Sequence, residues 1–494
     1  MLGGFMKRLV PVVACATALF GALVWAHPDT LTEVNQLELQ GHFKEAAAVL
    51  GRALNAPALP AAERRQLAFA LDRLERIRKD FPFTKETLFA ALKDSVQDLT
   101  AAEYNRWVDE GRFDSRQIDG ERRFLTSSVA NLFFRHPELN GRRVPPRNSV
   151  PLEQLHWETC LTIKQAAQAQ RKPYVLPKRF QATMTVTAAA NAVPAGQLIR
   201  AWLPLPRHYP FQGDFQLFSS SSTPKHLADE QQPIRCLCLE QPAVKDLPTE
   251  FSVGYFYTSH GVWFDLQPAA VRPCDPSDPA LKDFLRQGPH VVFTPEIRAL
   301  ARQIVGQETN PCLKARKSYD WIAEHIQYSY APEYSTIRNL SADCLRKGYG
   351  DCGEQALLFI TLCRLNGIPA RWQSGWNTFP GEQTIHDWSE VYLAPYGWVP
   401  VDPYMGVYAM RYATSLTPEQ RRQVRDFYFG GLDQYRMAAN SDHNQTLTPP
   451  KQSLRSDDVD FQRGELEWGG HNIYFDQYAY SFTLKELKVP GRDE

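Results

Sequence analysis

The sequence lacks a net charge, because its 494 residues include 55 lysines and arginines and 55 aspartates and glutamates. Proteins that capture nucleic acid or an anionic membrane surface by electrostatics usually carry an excess of one sign. The balance therefore argues against a nucleic-acid partner, and it limits any membrane association to the N-terminal segment.

Signatures of metal and nucleotide sites are also missing. None of the nine cysteines forms a C-x-x-C pair at zinc spacing. Cys236 and Cys238 fall on one face of a strand, which favours packing or half of a disulfide over a metal site. We see no glycine-rich nucleotide loop, so we expect no cofactor and no metal. The sequence assigns no disulfide pairing.

The first 26 residues have the pattern of a secretory signal. Two basic residues precede an apolar run from Leu9 to Ala26, and a polar junction follows. We predict cleavage after Ala26. The run also reaches the lower limit for a membrane anchor, and Val12-Val13-Ala14-Cys15 resembles a lipoprotein processing box. We therefore expect an exported protein, periplasmic or extracellular, that is either free or anchored by its N-terminus.

The spacing of apolar residues changes along the chain. Between Leu31 and Gln170 it favours helices with one buried face, and from Phe180 the alternation is typical of half-buried strands. A polar, proline-bearing stretch from Ser441 to Asp458 is predicted to be a long surface loop. The patterns predict an α+β protein with a signal peptide at 1–26, an α-helical region at 27–175, a β-sandwich-like module at 176–275, a catalytic core at 276–415 and an aromatic-rich C-terminal extension packing on the core at 416–494.

Small residues surround Cys352 in the segment Gly348-Tyr349-Gly350-Asp351-Cys352-Gly353-Glu354. An apolar stripe at helical spacing follows, formed by Ala356, Phe359, Ile360 and Cys363. Asn366-Gly367 ends this predicted helix. Cys352 is thus predicted at a helix N-terminus, where the positive end of the dipole lowers a thiol pKa and backbone N–H groups can bind an oxyanion.

A histidine and an aspartate follow at positions that suit thiol catalysis. His386 begins a predicted strand, and a turn leads to a second strand that ends at Asp402. Such a hairpin can bring Asp402 beside His386. An imidazole usually takes the proton of a nucleophilic thiol, and a carboxylate holds that imidazole. Each residue has a structural explanation by itself, but their order and placement favour a Cys352–His386–Asp402 triad.

Four motifs resemble the transglutaminase-like superfamily. They are Gly350-Asp351-Cys352-Gly353-Glu354, Leu365-Asn366-Gly367-Ile368-Pro369-Ala370-Arg371, His386-Asp387-Trp388-Ser389-Glu390-Val391 and Gly397-Trp398-Val399-Pro400-Val401-Asp402. The resemblance spans roughly Pro295 to Met405. It implies a papain-like transglutaminase core of the α+β class in which Cys352 is the nucleophile, His386 is general base and acid, and Asp402 orients His386. It also implies a β domain before the core, as in bacterial members.

The resemblance implies attack on an amide carbonyl through an acyl-enzyme, but it spans several reactions. Members include protein cross-linking enzymes, cysteine peptidases, peptide:N-glycanases and inactive relatives. The Cys352-Gly353-Glu354 run is more similar to the peptidase and glycanase branches than to the Cys-Trp pattern of animal cross-linking enzymes. We expect a thiol-dependent amide hydrolase or acyltransferase with a peptide or protein substrate. The alternative is a catalytically inactive surface or scaffold protein, and the oligomeric state stays open.

Several aromatic and charged residues near the motifs are candidates for supporting roles. Trp388 either shields the Cys352–His386 pair from water or packs in the core. Glu390 either supports the site or is an exposed charge. The candidates for completing an oxyanion hole are Tyr349, Tyr328 and Tyr330. Either a hydrophobic substrate rim or core packing is expected of Trp372, Trp376 and Phe379.

Overall fold

A computed structural model describes residues 27–57, 59–145 and 149–488 of the chain. The predicted signal segment, with the box at Cys15, lies outside the described residues. The chain divides into two compact units, Met1–Asp72 and Arg73–Glu494. Within the described ranges, no helix combines the length and the apolar character that crossing a membrane requires.

Helices prevail up to residue 170. They are α1 (His27–Gln40), α2 (Phe43–Leu54), α3 (Ala61–Asp80), α4 (Lys85–Lys93), α5 (Ala101–Asp109), α6 (Ser128–Arg135) and α7 (Val150–Gln170). A hairpin of β1 (Ser115–Ile118) and β2 (Glu121–Phe124) departs from the helical pattern expected here. Asp119 and Gly120 in its turn have φ of 49° and 89°. A two-residue hairpin loop of type I′ requires a positive φ at both positions.

The middle of the chain is a β module, as the alternation predicts. Its strands are β3 (Tyr174–Ala188), β4 (Leu198–Pro204), β5 (Gln212–Ser220), β6 (His226–Leu227), β7 (Cys236–Pro242) and β8 (Thr249–Trp263). Phe180, Ala182, Met184 and Val186 on β3 are all buried. They pack in a core to which β4, β7 and β8 also contribute.

The core that follows is built from helices and short strands. Its elements are α8 (Pro295–Val305), α9 (Pro311–His325), β9 (Gln327–Tyr328), α10 (Leu340–Lys347), β10 (Tyr349–Gly350), α11 (Cys352–Leu365), β11 (Ala370–Phe379), β12 (Glu382–Leu393), β13 (Gly397–Val401), α12 (Pro403–Arg411) and α13 (Pro418–Phe427). Thr294 caps α8 by accepting from the backbone of Ile297, as its place before Pro295 predicts. The side chains of α11 are buried along nearly its whole length.

The last strands join the sheets formed earlier. These strands are β14 (Gly431–Leu432), β15 (Arg436–Asn440), β16 (Glu465–Trp468), β17 (His471–Ile473) and β18 (Tyr478–Leu487). Strand β15 completes a four-stranded sheet of order β13-β12-β11-β15, β18 pairs with β3, and β16 pairs with β4. The two sheets of the β module therefore each contain strands separated by more than 200 residues in sequence.

These elements confirm the α+β class, with helices first and sheets after them. The two sheets of the module have five strands each and share one core. The domain boundaries remain predictions. The stretch from Ser441 to Asp458 is not a simple surface loop, because Lys451 in it is 8% exposed and pairs with buried Glu465 at 2.9 Å.

Strand β11 passes its neighbour so closely that position 375 has room only for glycine. A Cβ on Gly375 would lie 1.9 Å from the backbone oxygen of Met437 in β15. We expect Gly375→Ala to lower the free energy of unfolding by about 1–3 kcal/mol, because the backbone must move to relieve this overlap. Urea denaturation measures the effect.

Gly141→Ala is the matched control, since a Cβ there meets no atom within 4 Å. It should change the free energy by at most about 0.5 kcal/mol. Equal stability of Gly375→Ala and wild type would contradict the close packing of β11 on β15.

Candidate active site

Cys352 is the first residue of α11, as predicted. Asp351 caps this helix by accepting a hydrogen bond from the backbone N–H of Glu354 at 3.1 Å. The next residue has to be small, because a Cβ on Gly353 would lie 2.1 Å from the hydroxyl of Tyr334 and 2.8 Å from Asp387 Oδ2. The helix start thus brings the thiol against a buried polar cluster.

The prediction that the helix dipole lowers the pKa of the Cys352 thiol is wrong for this structure. Burial and the neighbouring carboxyl groups of Asp387 and Asp351 raise the pKa of Cys352 well above its ordinary value. The dipole is equivalent to roughly half a charge at the helix end. Desolvation and two nearby acidic groups outweigh it.

His386 lies on β12 and is 3% exposed. Its Nε2 lies 2.8 Å from Oδ2 of Asp402, which follows β13 and caps α12. Trp388 stacks near the imidazole with a ring separation of 5.8 Å, and Tyr404 meets it edge-on at 5.4 Å. These contacts fix the ring plane and leave Nδ1 as the nitrogen that can take a proton from the thiol.

Asp402 has a second partner, an arginine, that no motif indicated. Arg436 of β15 donates to Asp402 Oδ2 at 2.9 Å and to Asp433 Oδ2 at 3.0 Å. All three side chains are fully buried. Burial opposes ionisation of Asp402, but His386 and Arg436 outweigh it and lower the pKa of the carboxyl group. The carboxylate form is therefore favoured where it can support an imidazolium.

The thiol itself is hydrogen-bonded to Asp387. Cys352 Sγ lies 3.5 Å from Asp387 Oδ2, and the hydroxyl of Tyr334 lies 3.1 Å from the same oxygen. Gln462 Nε2 donates to Asp387 Oδ1 and to the backbone oxygen of His386, each at 2.8 Å. Gln462 lies between β15 and β16, so the C-terminal extension supports the strand that carries the histidine.

Cys352 and His386 line one cavity of about 490 Å³. One wall comes from the helical region, through Phe133, Phe134 and Glu153. No catalytic group was predicted from that region, and its contribution here is to the shape of the cleft. Tyrosines from the core line another part, together with polar side chains: Tyr328, Tyr330, Tyr404, Tyr408 and Tyr412.

The remaining residues singled out in the sequence fall in different places. Glu390 is 4% exposed and pairs with Arg371 at 2.6 Å, beside a different cavity. The hydroxyl of Tyr349 donates to Asp114 at 2.7 Å. Trp388 is fully buried. The three residues considered for a substrate rim are also buried and pack in the protein interior: Trp372, Trp376 and Phe379.

Sequence reasoning missed four residues at the site: Tyr334, Asp387, Arg436 and Gln462. Asp387 stands inside a quoted motif, beside His386. The others lie in separate segments with no spacing that links them to Cys352. Within the described part of the chain, no group of three histidine, cysteine or acidic side chains is arranged to hold a metal, and the eight described cysteines are free thiols.

A helix with a cysteine at its N-terminus, packed on an antiparallel sheet that carries a histidine, defines a papain-like fold. Residues 298–403 match the family model of the transglutaminase-like superfamily. This match confirms the resemblance that the four motifs predict for the core.

Relatives outside the family model are distant. An uncharacterized protein of Haemophilus influenzae is 24% identical over 238 residues, which cover 42% of this chain and 63% of that protein. A candidate cysteine protease from Cytophaga hutchinsonii has a TM-score of 0.41 at 14% identity, covering 65% of this chain and 94% of its own. The periplasmic domain of TgpA from Pseudomonas aeruginosa has a TM-score of 0.25 at 19% identity, and the match covers 49% of this chain and 91% of that domain.

Removal of Arg436 tests the buried charge cluster. We expect Arg436→Met to lower the free energy of unfolding by about 3–5 kcal/mol at neutral pH, because Asp402 and Asp433 lose a buried counter-ion. Urea denaturation measures this loss. Asp433→Asn combined with Arg436→Met should cost less than the sum of the two single changes, since the residues share one network.

The control is Arg422→Met, which removes a surface pair whose partners are 50% and 62% exposed. Its effect should stay within about 0.5 kcal/mol. A loss no larger for Arg436→Met than for this control would contradict the role given to the cluster.

Proposed function

We propose that the protein is a thiol-dependent amide hydrolase that acts on peptide or protein substrates through a Cys352–His386–Asp402 triad. The observation that carries the proposal is the shared cavity of Cys352 and His386, with His386 Nε2 held 2.8 Å from a buried carboxylate. A partly exposed thiol that shares a cavity with an imidazole oriented in this way is suited to nucleophilic catalysis.

The reaction follows from the positions of these groups. His386 Nδ1 takes the thiol proton, and Sγ attacks the amide carbonyl carbon. The tetrahedral intermediate collapses when the imidazolium gives its proton to the leaving amine, and a thioester on Cys352 remains. Water, activated by His386, then attacks the thioester, the C–S bond breaks, the carboxylic acid product leaves and the imidazolium returns its proton to Sγ. An acceptor amine in place of water would make the same site an acyltransferase.

The oxyanion of the intermediate needs donors at the start of α11. The backbone N–H of Cys352 belongs to the first turn, where it has no partner within the helix. We assign the side-chain donor to Tyr328, which is 9% exposed and lines the cavity with Cys352. Tyr330 is a weaker candidate because it is 46% exposed, and the Tyr349 hydroxyl is already bonded to Asp114.

The cleft supports a peptide-like substrate. Phenylalanine and tyrosine side chains line it together with polar and charged ones, among them Glu153 and Arg411. Rings of this kind bind apolar side chains and the faces of peptide groups, while the charges orient polar ends. Export of the enzyme, by the predicted signal at residues 1–26, would give it access to envelope or extracellular proteins.

Alkylation of the thiol tests the triad. We expect iodoacetamide to label wild type at one site, to leave Cys352→Ala unlabelled at that site, and to react at least about tenfold more slowly with His386→Ala, because the imidazole assists ionisation. Peptide mass spectrometry locates and counts the label. If Cys352 reacts no faster than a buried cysteine such as Cys363, the protein is not a thiol enzyme and the scaffold alternative stands.

A panel of proteins and peptides then distinguishes the reactions. New peptide termini, or ammonia released when no acceptor amine is present, indicate hydrolysis, and incorporation of a fluorescent primary amine indicates acyl transfer. Both products must disappear in Cys352→Ala. Amine incorporation without hydrolysis would replace the proposed hydrolase with an acyltransferase.

Tyr328→Phe tests the oxyanion assignment. We expect kcat to fall about 10²–10³-fold with little change in KM, because the hydroxyl acts on charge that develops after binding. Thiol alkylation should be unchanged, since that reaction forms no oxyanion. Tyr330→Phe is the matched control and should keep kcat within about threefold. A rise in KM with unchanged kcat in Tyr328→Phe would show that the residue only binds substrate.

A further inference from the structure

One hydroxyl lies between two buried carboxyl groups next to the nucleophile. The Tyr334 oxygen is 2.7 Å from Asp351 Oδ1 and 3.1 Å from Asp387 Oδ2. A tyrosine hydroxyl has a single proton, so it can donate to only one of them. If both acids were ionised, the other carboxylate would face the hydroxyl oxygen with no proton between them. The three groups therefore require one additional proton.

The surroundings determine which acid holds that proton. Asp351 caps α11, accepts the backbone N–H of Glu354 at 3.1 Å, and sits at the positive end of the helix. These contacts favour its ionised form, and the shorter distance from Tyr334 fits donation by the hydroxyl to a carboxylate. Gln462 donates to Oδ1 of Asp387. Oδ2 of Asp387 lies 3.1 Å from the Tyr334 oxygen and 3.5 Å from the Cys352 sulfur. A thiol can donate to this oxygen, and both the hydroxyl oxygen and the sulfur can also accept a proton from it.

We propose that Asp387 is a neutral carboxylic acid in the resting enzyme and that it positions the Cys352 sulfur as a hydrogen-bonding partner at Oδ2. The inference rests on the proposed function only in treating Cys352 as the nucleophile. The neutral acid donates toward Tyr334 or toward the sulfur. The Tyr334 hydroxyl donates its hydrogen bond to Asp351, and the Gln462 amide donates to the carbonyl oxygen of Asp387.

The charges around the cluster agree with this assignment. Burial, followed by Asp460 and Asp351, raises the pKa of Asp387 well above its ordinary value. Burial raises the pKa of Asp351 to about 6, and the hydrogen bonds from Tyr334 and the backbone of Glu354 oppose that rise. The titratable and charged groups that face the cluster from the packed elements are Tyr328, Tyr334, Lys347, Glu354, His386, Tyr404 and Asp460.

The state of Asp387 sets how the thiol responds to pH. Below the pKa of Asp387 the neutral acid can donate to the sulfur and stabilise its thiolate. Above that pKa a carboxylate stands 3.5 Å from the sulfur and disfavours the thiolate. Asp387 therefore limits thiol activation on the alkaline side. Asparagine keeps the shape and a donor but cannot ionise, so it should remove this limit.

The test is the pH profile of Cys352 alkylation in wild type and in Asp387→Asn. Below the pKa of Asp387 the two rates should agree within about twofold, and above it the variant should react about tenfold faster, since one charge at this distance is worth roughly one pKa unit. Parallel profiles over the whole range would overturn the proposal, because a merely structural role shifts the rate without changing its pH dependence.

Infrared difference spectroscopy provides a second test that requires no turnover. The C=O band of a protonated carboxylic acid should be lost in Asp387→Asn at neutral pH. Asp442→Asn is the matched control and should retain the band, because His443 helps to lower the pKa of Asp442 against the effect of burial. A band unchanged in Asp387→Asn overturns the proposal. If the wild-type protein shows the band, and the band is lost in Asp387→Asn, but the protein hydrolyses no amide, the proposed function fails and this inference stands.

Discussion

The arrangement of the site depends on one buried carboxylate, Asp402. Its Oδ2 accepts from His386 and from Arg436, and its Oδ1 accepts the backbone N–H of Met405. These bonds join β12, the end of β13, the start of α12 and β15 at a point with no solvent exposure. A buried charge with fewer partners would be too costly to retain. The same bonds that keep Asp402 ionised therefore also hold the imidazole against the sheet.

The sequence allowed the core to be predicted because its signals are local. The glycines around Cys352, the apolar stripe of α11 and the turn between β12 and β13 each lie within a short segment. Arg436 and Gln462 could not be found in this way. A lone arginine in a strand is usually a surface residue, and only the pairing of β15 with β11 places it beside Asp402. The β1–β2 hairpin did carry a local signal, Asp119-Gly120, which outweighs the surrounding helical pattern.

The pKa of the Cys352 thiol depends on more than the helix that carries it. A helix N-terminus favours a thiolate, but the effect is that of a partial charge near the surface. In this fold, α11 is buried on every side, and its first turn meets Asp387 and the cap Asp351. Desolvation and the acidic groups at short range decide the outcome. The approach of Asp387 cannot be read from the Cys352 segment alone, because Asp387 lies on β12.

The late strands have a consequence for biosynthesis. While a ribosome is still producing residues beyond 440, β3 and β4 lack their partners β18 and β16, and His386 and Asp387 lack Gln462. Contacts this distant in sequence form late, because closing such long loops has to precede any gain from pairing. A partly made chain would therefore hold the cysteine, the histidine and the aspartate without their final alignment. The order of synthesis therefore delays the final placement of Cys352 until the late strands have paired.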